Sequence, residues 1–220
     1  MSSDPLTSDA IQEQRRQQMR DAILQHALDV MEERGVAGLS LGEVARRLGV
    51  KTPSLYEYFP NKKAVYDALF RMGYEQFRLE MRRLQEALPD GSMRARLRSI
   101  MAGFFTFALE NRALYQLMFE RPVPGFVPSE ESLAVSFGML NESYGSFTTA
   151  FIENSLQVPE GLSTAQAHDL FIAVEHGITA LHLANEPDVP PAESRFGSLL
   201  DAAVDLLIRA WTDNPQEDIS

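Results

Sequence analysis

The chain has 220 residues, 45% of them hydrophobic, and a formal net charge of −11. That is enough apolar material for one large helical domain or two small ones, with no run of membrane-spanning length and no charged-then-apolar leader at the start. There is no cysteine, which excludes disulfides, thiolate metal sites and cysteine nucleophiles and fits a cytoplasmic protein. The acidity argues against bulk polyanion binding, but the charge is uneven. Residues 15–63 carry nine Lys or Arg against six Asp or Glu, whereas residues 71–220 carry eleven against twenty-one. A mildly basic head before an acidic body would orient the chain towards a polyanion and weaken unspecific binding. An acidic surface also simply keeps a protein soluble.

In chain order, residues 1–14 are polar and acidic and are expected to form a disordered arm. A helix is predicted over 14–34, with Ile23, Ala27, Val30 and Met31 on one face and Gly35 and Gly38 at its end. In the next run, LSLGEVARRLGVKTPSLYEYFPNKKAV, Leu41, Val44, Ala45 and Leu48 make one apolar helical face. Ser40 and Glu43 read as a capping box, Leu39 and Val44 as a hydrophobic staple, and Gly49 as the left-handed stop. A second short helix is expected from Thr52 as N-cap, with Pro53 at its first position and Leu55 and Phe59 buried. Two short helices joined by a Gly-containing turn make a helix-turn-helix.

Asn61 should cap a helix carrying Val65, Leu69, Met72 and Phe77 towards Leu88, and Pro89-Asp90-Gly91 reads as a turn. Further helices are predicted over 93–110, from Asn111 to Phe119, and from Ser129 to Leu156 after a proline-rich loop at 121–128. Ser163 and Gln166 read as a second capping box, opening a helix to Asn185. A last helix is expected over 194–211, followed by a frayed polar tail. The chain is therefore expected to be all-α, with about nine helices.

The second helix of the helix-turn-helix exposes Ser54, Tyr56 and Tyr58, with Lys51 before it and Lys62 and Lys63 after it. Such a polar, aromatic and basic face suits a helix that enters the major groove. Tyrosines there can pack on a thymine methyl and donate to phosphate, and the amides that open the following helix suit phosphate too. Ser40, Thr52 and Arg46 are further contact candidates, with Arg47 adding charge. Glu57 either accepts from a cytosine amine or repels phosphate. Leu55 and Phe59 are assigned to the core.

The helix over 19–34, the run GVAGLSLGEVARRLGV and above all LYEYFPNKKAV resemble the DNA-binding domain of the tetracycline-repressor (TetR) family of bacterial transcription regulators. The resemblance covers roughly residues 18–66. It implies a DNA-binding head over 1–66 and a helical ligand-binding and dimerisation body over 67–220. Val174-Glu175-His176-Gly177 resembles a Trp-His-Gly motif of one subgroup, with Glu in place of Trp.

The body's helices are rich in Phe and Met, which serve as core or as the walls of an adaptable apolar site. Phe104, Met118, Phe137, Phe147 and Phe171 are the candidate walls, with Glu175, His176 and Thr179 as polar groups in an apolar setting. Small residues on the last two helices, Gly177, Ala180 and Ala203 with Leu207, suit a bundle with a second copy, which the resemblance also implies. No phosphate loop, nucleophile elbow or zinc-protease helix is present, so neither an enzyme nor a cofactor or metal is expected.

These readings converge on a homodimeric regulator, more readily a repressor than an activator. It would be bound to a palindromic duplex operator and released by a small apolar effector. The competing class is a helical ligand-binding or enzymatic protein without DNA binding, whose mark would be a recognition helix lacking Lys51, Lys62 and Lys63.

Overall fold

The computed structural model describes residues 8–88 and 92–212, and all regular structure among them is helical. The helices are α1 (Ser8–Arg34), α2 (Leu41–Leu48), α3 (Thr52–Leu55), α4 (Lys62–Glu86), α5 (Met93–Glu110), α6 (Arg112–Tyr115), α7 (Glu130–Glu153), α8 (Thr164–Asn185) and α9 (Leu200–Thr212). A π-helical turn, Gln116–Glu120, continues α6. Residues 8–14, expected in a disordered arm, are the first two turns of α1. Ala10, Gln12, Glu13 and Gln14 are good helix formers, and Asp9 favours the N-terminal dipole. The turn at 89–91, the first seven residues and the tail from 213 lie outside the described residues.

Several ends obey the local chemistry of the sequence. The Asn61 side chain accepts the amide of Ala64 at 3.0 Å. Ser163 and Gln166 form a complete capping box at α8. Gly49 ends α2 in the left-handed region at φ 68°. Others differ. Ser40 accepts the Glu43 amide, but Glu43 does not reach back; its carboxylate takes Arg46 and Arg47 instead. Lys51, not Thr52, is the N-cap of α3, a one-residue shift. The Asn111 side chain donates to the Phe107 carbonyl, closing α5 rather than opening α6. The last helix begins at Leu200, after a 3-10 turn over Gly197–Leu199.

The chain divides into two compact units. One runs as far as Gly73 and adds Arg112–Leu133; the other comprises Tyr74–Asn111 and the chain from Ala134 on. The boundary expected between 66 and 67 falls inside α4.

The first unit packs α1 to α3 around Ile23, Ala27, Val30, Val44, Leu55 and Phe59. Its second segment is tied on by hydrogen bonds. Asp67 accepts the Ser129 amide at 2.7 Å, and Glu32 accepts the Ala113 amide at 2.8 Å. Tyr66 donates its hydroxyl to the Val36 carbonyl at 2.7 Å, and burial pushes the phenol up to about 12.

The second unit closes over a cluster that includes Met101, Phe147, Phe151, Phe171, Leu207 and Trp211. Trp211 meets the edge of Phe151 at 4.9 Å between ring centroids. Removing such a buried aromatic typically costs about 3–5 kcal/mol. Arg94–Asp205 and Arg98–Asp201 ion pairs bracket α5 and α9 on the exposed side.

Candidate functional site

The recognition helix is held by what lies behind it. Leu55 and Phe59 are buried at 1% and 2% exposure. Arg20 of α1 donates to the Tyr58 carbonyl at 2.7 Å and lies 4.3 Å over the Phe59 ring, so it fixes the end of the segment. Outward, Tyr56 is half exposed and Lys51 exposed, while Thr52, Ser54 and Tyr58 are partly covered. Lys51, Thr52, Ser54, Tyr56 and Tyr58 thus lie on or beside α3 with at least part of each side chain open to solvent.

The surrounding cations are engaged within the protein. Glu43 binds Arg46 and Arg47, and those hydrogen bonds hold its carboxyl down to about 2. Arg47 also pairs with Glu33, and these carboxylates raise its pKa further. Lys62 donates to the Ala37 carbonyl at 3.2 Å and Lys63 to that of Gly125 at 2.8 Å, both on the exposed side. A lysine bonded to an exposed carbonyl can exchange it for a phosphate oxygen. Arg47, forked between two carboxylates, is a scaffold.

In the second unit a cavity of about 770 Å³ is lined by Met93, Leu97, Phe147, Phe171, His168 and Arg96 among others. Of the sequence-predicted wall residues it therefore gathers Phe147 and Phe171. Phe104 is buried elsewhere in the unit, edge-on to His176 at 4.5 Å and to Phe77 at 5.6 Å. Phe137 is 58% exposed on α7, because the apolar stripe of that helix turns inward only from Phe147 on. Met118 belongs to the first unit, where its side chain packs against Gly73. Among the polar groups that line the cavity, with Arg82, Arg96, Glu142 and Ser143, is the buried His168, passed over as an effector contact. It lies 3.0 Å from the Ser143 hydroxyl, and burial lowers its pKa. Its signal in the sequence was a lone histidine on a mainly apolar helical face.

Glu175, Thr179 and His182 recur at one-turn spacing on α8 and are all buried. Glu175 Oε1, Thr179 Oγ1 and His182 Nε2 have no hydrogen-bond partner among the described residues. Burial pushes the Glu175 carboxyl well above the usual carboxylate range and His176 down to about 4. The other nitrogen of His182 is 2.9 Å from the Ser194 hydroxyl, which accepts the Gly197 amide. Among the described residues no three His, Asp or Glu are grouped to hold a metal.

Of the expected interface residues, Leu207 belongs to the unit's own core and Ala203 packs against it. The outward stripe is one residue over. Leu199, Ala202 and Leu206 are exposed on or beside α9, as are Leu170, Ala173, Gly177 and Leu181 on α8, and Ala180 is half-buried. Among the described residues, no helix is long and apolar enough to cross a membrane.

These features define a helix-turn-helix module carried by an all-α chain. The family described as "Bacterial regulatory proteins, tetR family" matches residues 23–69, which hold the whole module. HTH-type transcriptional regulator BetI of Klebsiella pneumoniae (strain 342) is 36% identical over 91 residues, 41% of this chain and 45% of that protein. The chain spans less than half the length of the curated relatives it matches.

Among solved structures, a protein with unknown function from Rhodococcus sp. RHA1 matches with a TM-score of 0.73 at 24% identity, covering 88% of this chain and 95% of that one. The regulator FadR from Bacillus subtilis, in complex with stearoyl-CoA, matches with a TM-score of 0.63 at 18% identity, covering 86% and 98%. At these identities the structural matches speak for the fold. Residues 23–69 therefore match the TetR family's DNA-binding module, and the rest of the chain shares the fold of the solved structures.

Proposed function

We propose that the protein is a homodimeric transcription regulator, not an enzyme, that binds duplex DNA through α3 and its flanks. It acts as a repressor by occupying a palindromic operator. The observation that carries the reading is the exposed Lys51–Tyr56 face of α3, buttressed by Arg20 beneath Tyr58 and Phe59, within a TetR-family head. A rigid backing lets a four-residue helix present side chains without ordering them on contact. Ser40, Arg46, Thr52, Ser54, Tyr58, Lys62 and Lys63 complete the surface.

Dimerisation uses the outward stripes of α8 and α9. Exposed leucines alternate there with Ala and Gly, so a second copy can approach closely, and a two-fold dimer matches a palindromic operator. The effector is a largely apolar small molecule seated in the cavity beside Phe147 and Phe171, with His168 as its polar contact. It releases DNA if it binds the DNA-incompetent state more tightly, and α4, which runs through both units, is the covalent route for that bias.

Tyr58→Phe and Lys62→Ala each remove a phosphate donor. In a shift assay on a duplex selected by the wild type, each should weaken binding, with the salt slope reduced by about 0.9 per bound protomer for the lysine. Unchanged affinity for both folded variants would remove the phosphate assignment. For the effector, a panel of long-chain acyl thioesters and uncharged apolar compounds should contain one that raises the melting temperature. Phe171→Ala or His168→Ala should diminish that response and leave DNA affinity intact.

A further inference from the structure

The first half of α1 places no fully buried side chain in the core of its unit. No residue of 8–22 is buried, and the buried positions of the helix begin at Ile23. These fifteen helical residues, a rod of about 22 Å, therefore bury no side chain fully, and their packed end is held by Arg20 against Tyr58 and Phe59. They carry Arg15, Arg16 and Arg20 against Asp9, Glu13 and Asp21, so their charge is balanced overall, but two of the arginines fall on one concave surface. Gln12, Arg15, Arg16 and Met19 line one side of a concavity of about 770 Å³, and Leu48, Glu57 and Tyr58 line another part of it. The groove is thus continuous with the recognition segment.

Arg15 and Arg16 take part in no ion pair among the described residues, whereas Arg34, Arg46 and Arg47 of the same unit are all paired with carboxylates. Asp9 and Glu13 on the same helix, and Glu57 within the groove, are the nearby acids in sequence or lining, yet neither arginine has been drawn to them.

We propose that this groove seats duplex backbone phosphate beyond the helix-turn-helix, with Arg15 and Arg16 as its cations. The proposal rests on the DNA-binding reading and extends its footprint. A guanidinium fork matches a phosphate in a way that no other group lining the groove does. The phosphodiester backbone continues past whatever bases α3 reads, so a cationic groove adjoining Tyr58 lies on its path. Glu57 repels a phosphate on its own side and so confines it to the arginine side. The contact carries no sequence information; it adds affinity and fixes orientation.

The test is a salt titration of binding, by fluorescence anisotropy, to a duplex that the wild type has selected from a random library. Arg15→Ala/Arg16→Ala should reduce the slope of log K against log salt by about 1.8 per bound protomer. Affinity should fall roughly 60-fold per protomer at about 0.1 M salt, with the loss vanishing near 1 M. Arg15→Lys/Arg16→Lys should keep most of the slope, which a purely structural role for the arginines would not predict. An unchanged slope in the alanine variant, alongside a reduced one in Lys62→Ala, overturns the groove and leaves the DNA reading standing. Failure of the wild type to select any duplex would overturn both.

Discussion

Replacing Glu175 by glutamine should remove a pH dependence of stability whose sign and slope follow from burial of the side chain. Glu175 is 5% exposed, Oε1 lacks a partner among the described residues, and burial holds the carboxyl well above the usual carboxylate range. The folded protein therefore keeps this proton at pH values where the unfolded chain, ionising near pH 4.3 or so, has released it. The resulting stabilisation is complete below the unfolded-state value and is lost progressively as pH rises towards the folded-state value. Across that window the wild type loses about 1.4 kcal/mol per pH unit relative to a variant that cannot ionise. Other titrating groups are common to both proteins and cancel in the difference. Urea unfolding of the two proteins at rising pH, starting just above the unfolded-state value, should show the gap widening in favour of Glu175→Gln, with similar m-values. A gap independent of pH would mean that the carboxyl ionises as freely in the folded protein as in the unfolded, and the burial argument would fail.

Leu206→Arg should yield a folded monomer by sedimentation, because Leu206 is 67% exposed and contributes nothing to the core of its own unit. Leu207→Ala should instead lower stability by about 2–5 kcal/mol, since that side chain fills the intramolecular cluster. A Leu206→Arg protein that stays dimeric would move the interface elsewhere. Gly197→Ala should lower the melting temperature markedly, because its Cβ would fall 2.6 Å from the Pro191 carbonyl oxygen and 2.8 Å from the Ser194 hydroxyl. Overpacking of this kind costs about 1–3 kcal/mol, and an unchanged melting temperature would show that the Ser194 turn yields easily.

What was legible in the sequence was chemistry that acts over a few residues. Ser40, Gly49, Asn61 and the Ser163–Gln166 pair mark helix ends through hydrogen bonds to their own backbone, so their roles do not depend on the rest of the fold. Leu55 and Phe59 were legible because a short helix has few ways to bury two large residues. The inward choice between neighbouring helical faces was not. Ala203 and Leu207 are only one position from Ala202 and Leu206, and the packing of Trp211 and Val204 decides which pair faces the core. The same holds for α7, whose aromatic stripe has Phe137 in solvent and Phe147 and Phe151 inside. Arg15 and Arg16 were hidden for another reason. They were read as part of the first helix, but nothing local in the sequence shows that they line one concavity with Tyr58.

The central claim, that the head reads duplex DNA, is tested most directly by selecting binding sites from a random-sequence duplex library with the wild-type protein. The account predicts enrichment of one site with two-fold symmetry, its half-sites separated by about one helical turn or a multiple of it. Replacing Lys51 and Tyr56 by alanine should abolish that enrichment while leaving the melting curve unchanged. A folded wild-type protein that enriches no sequence at low salt would contradict the claim.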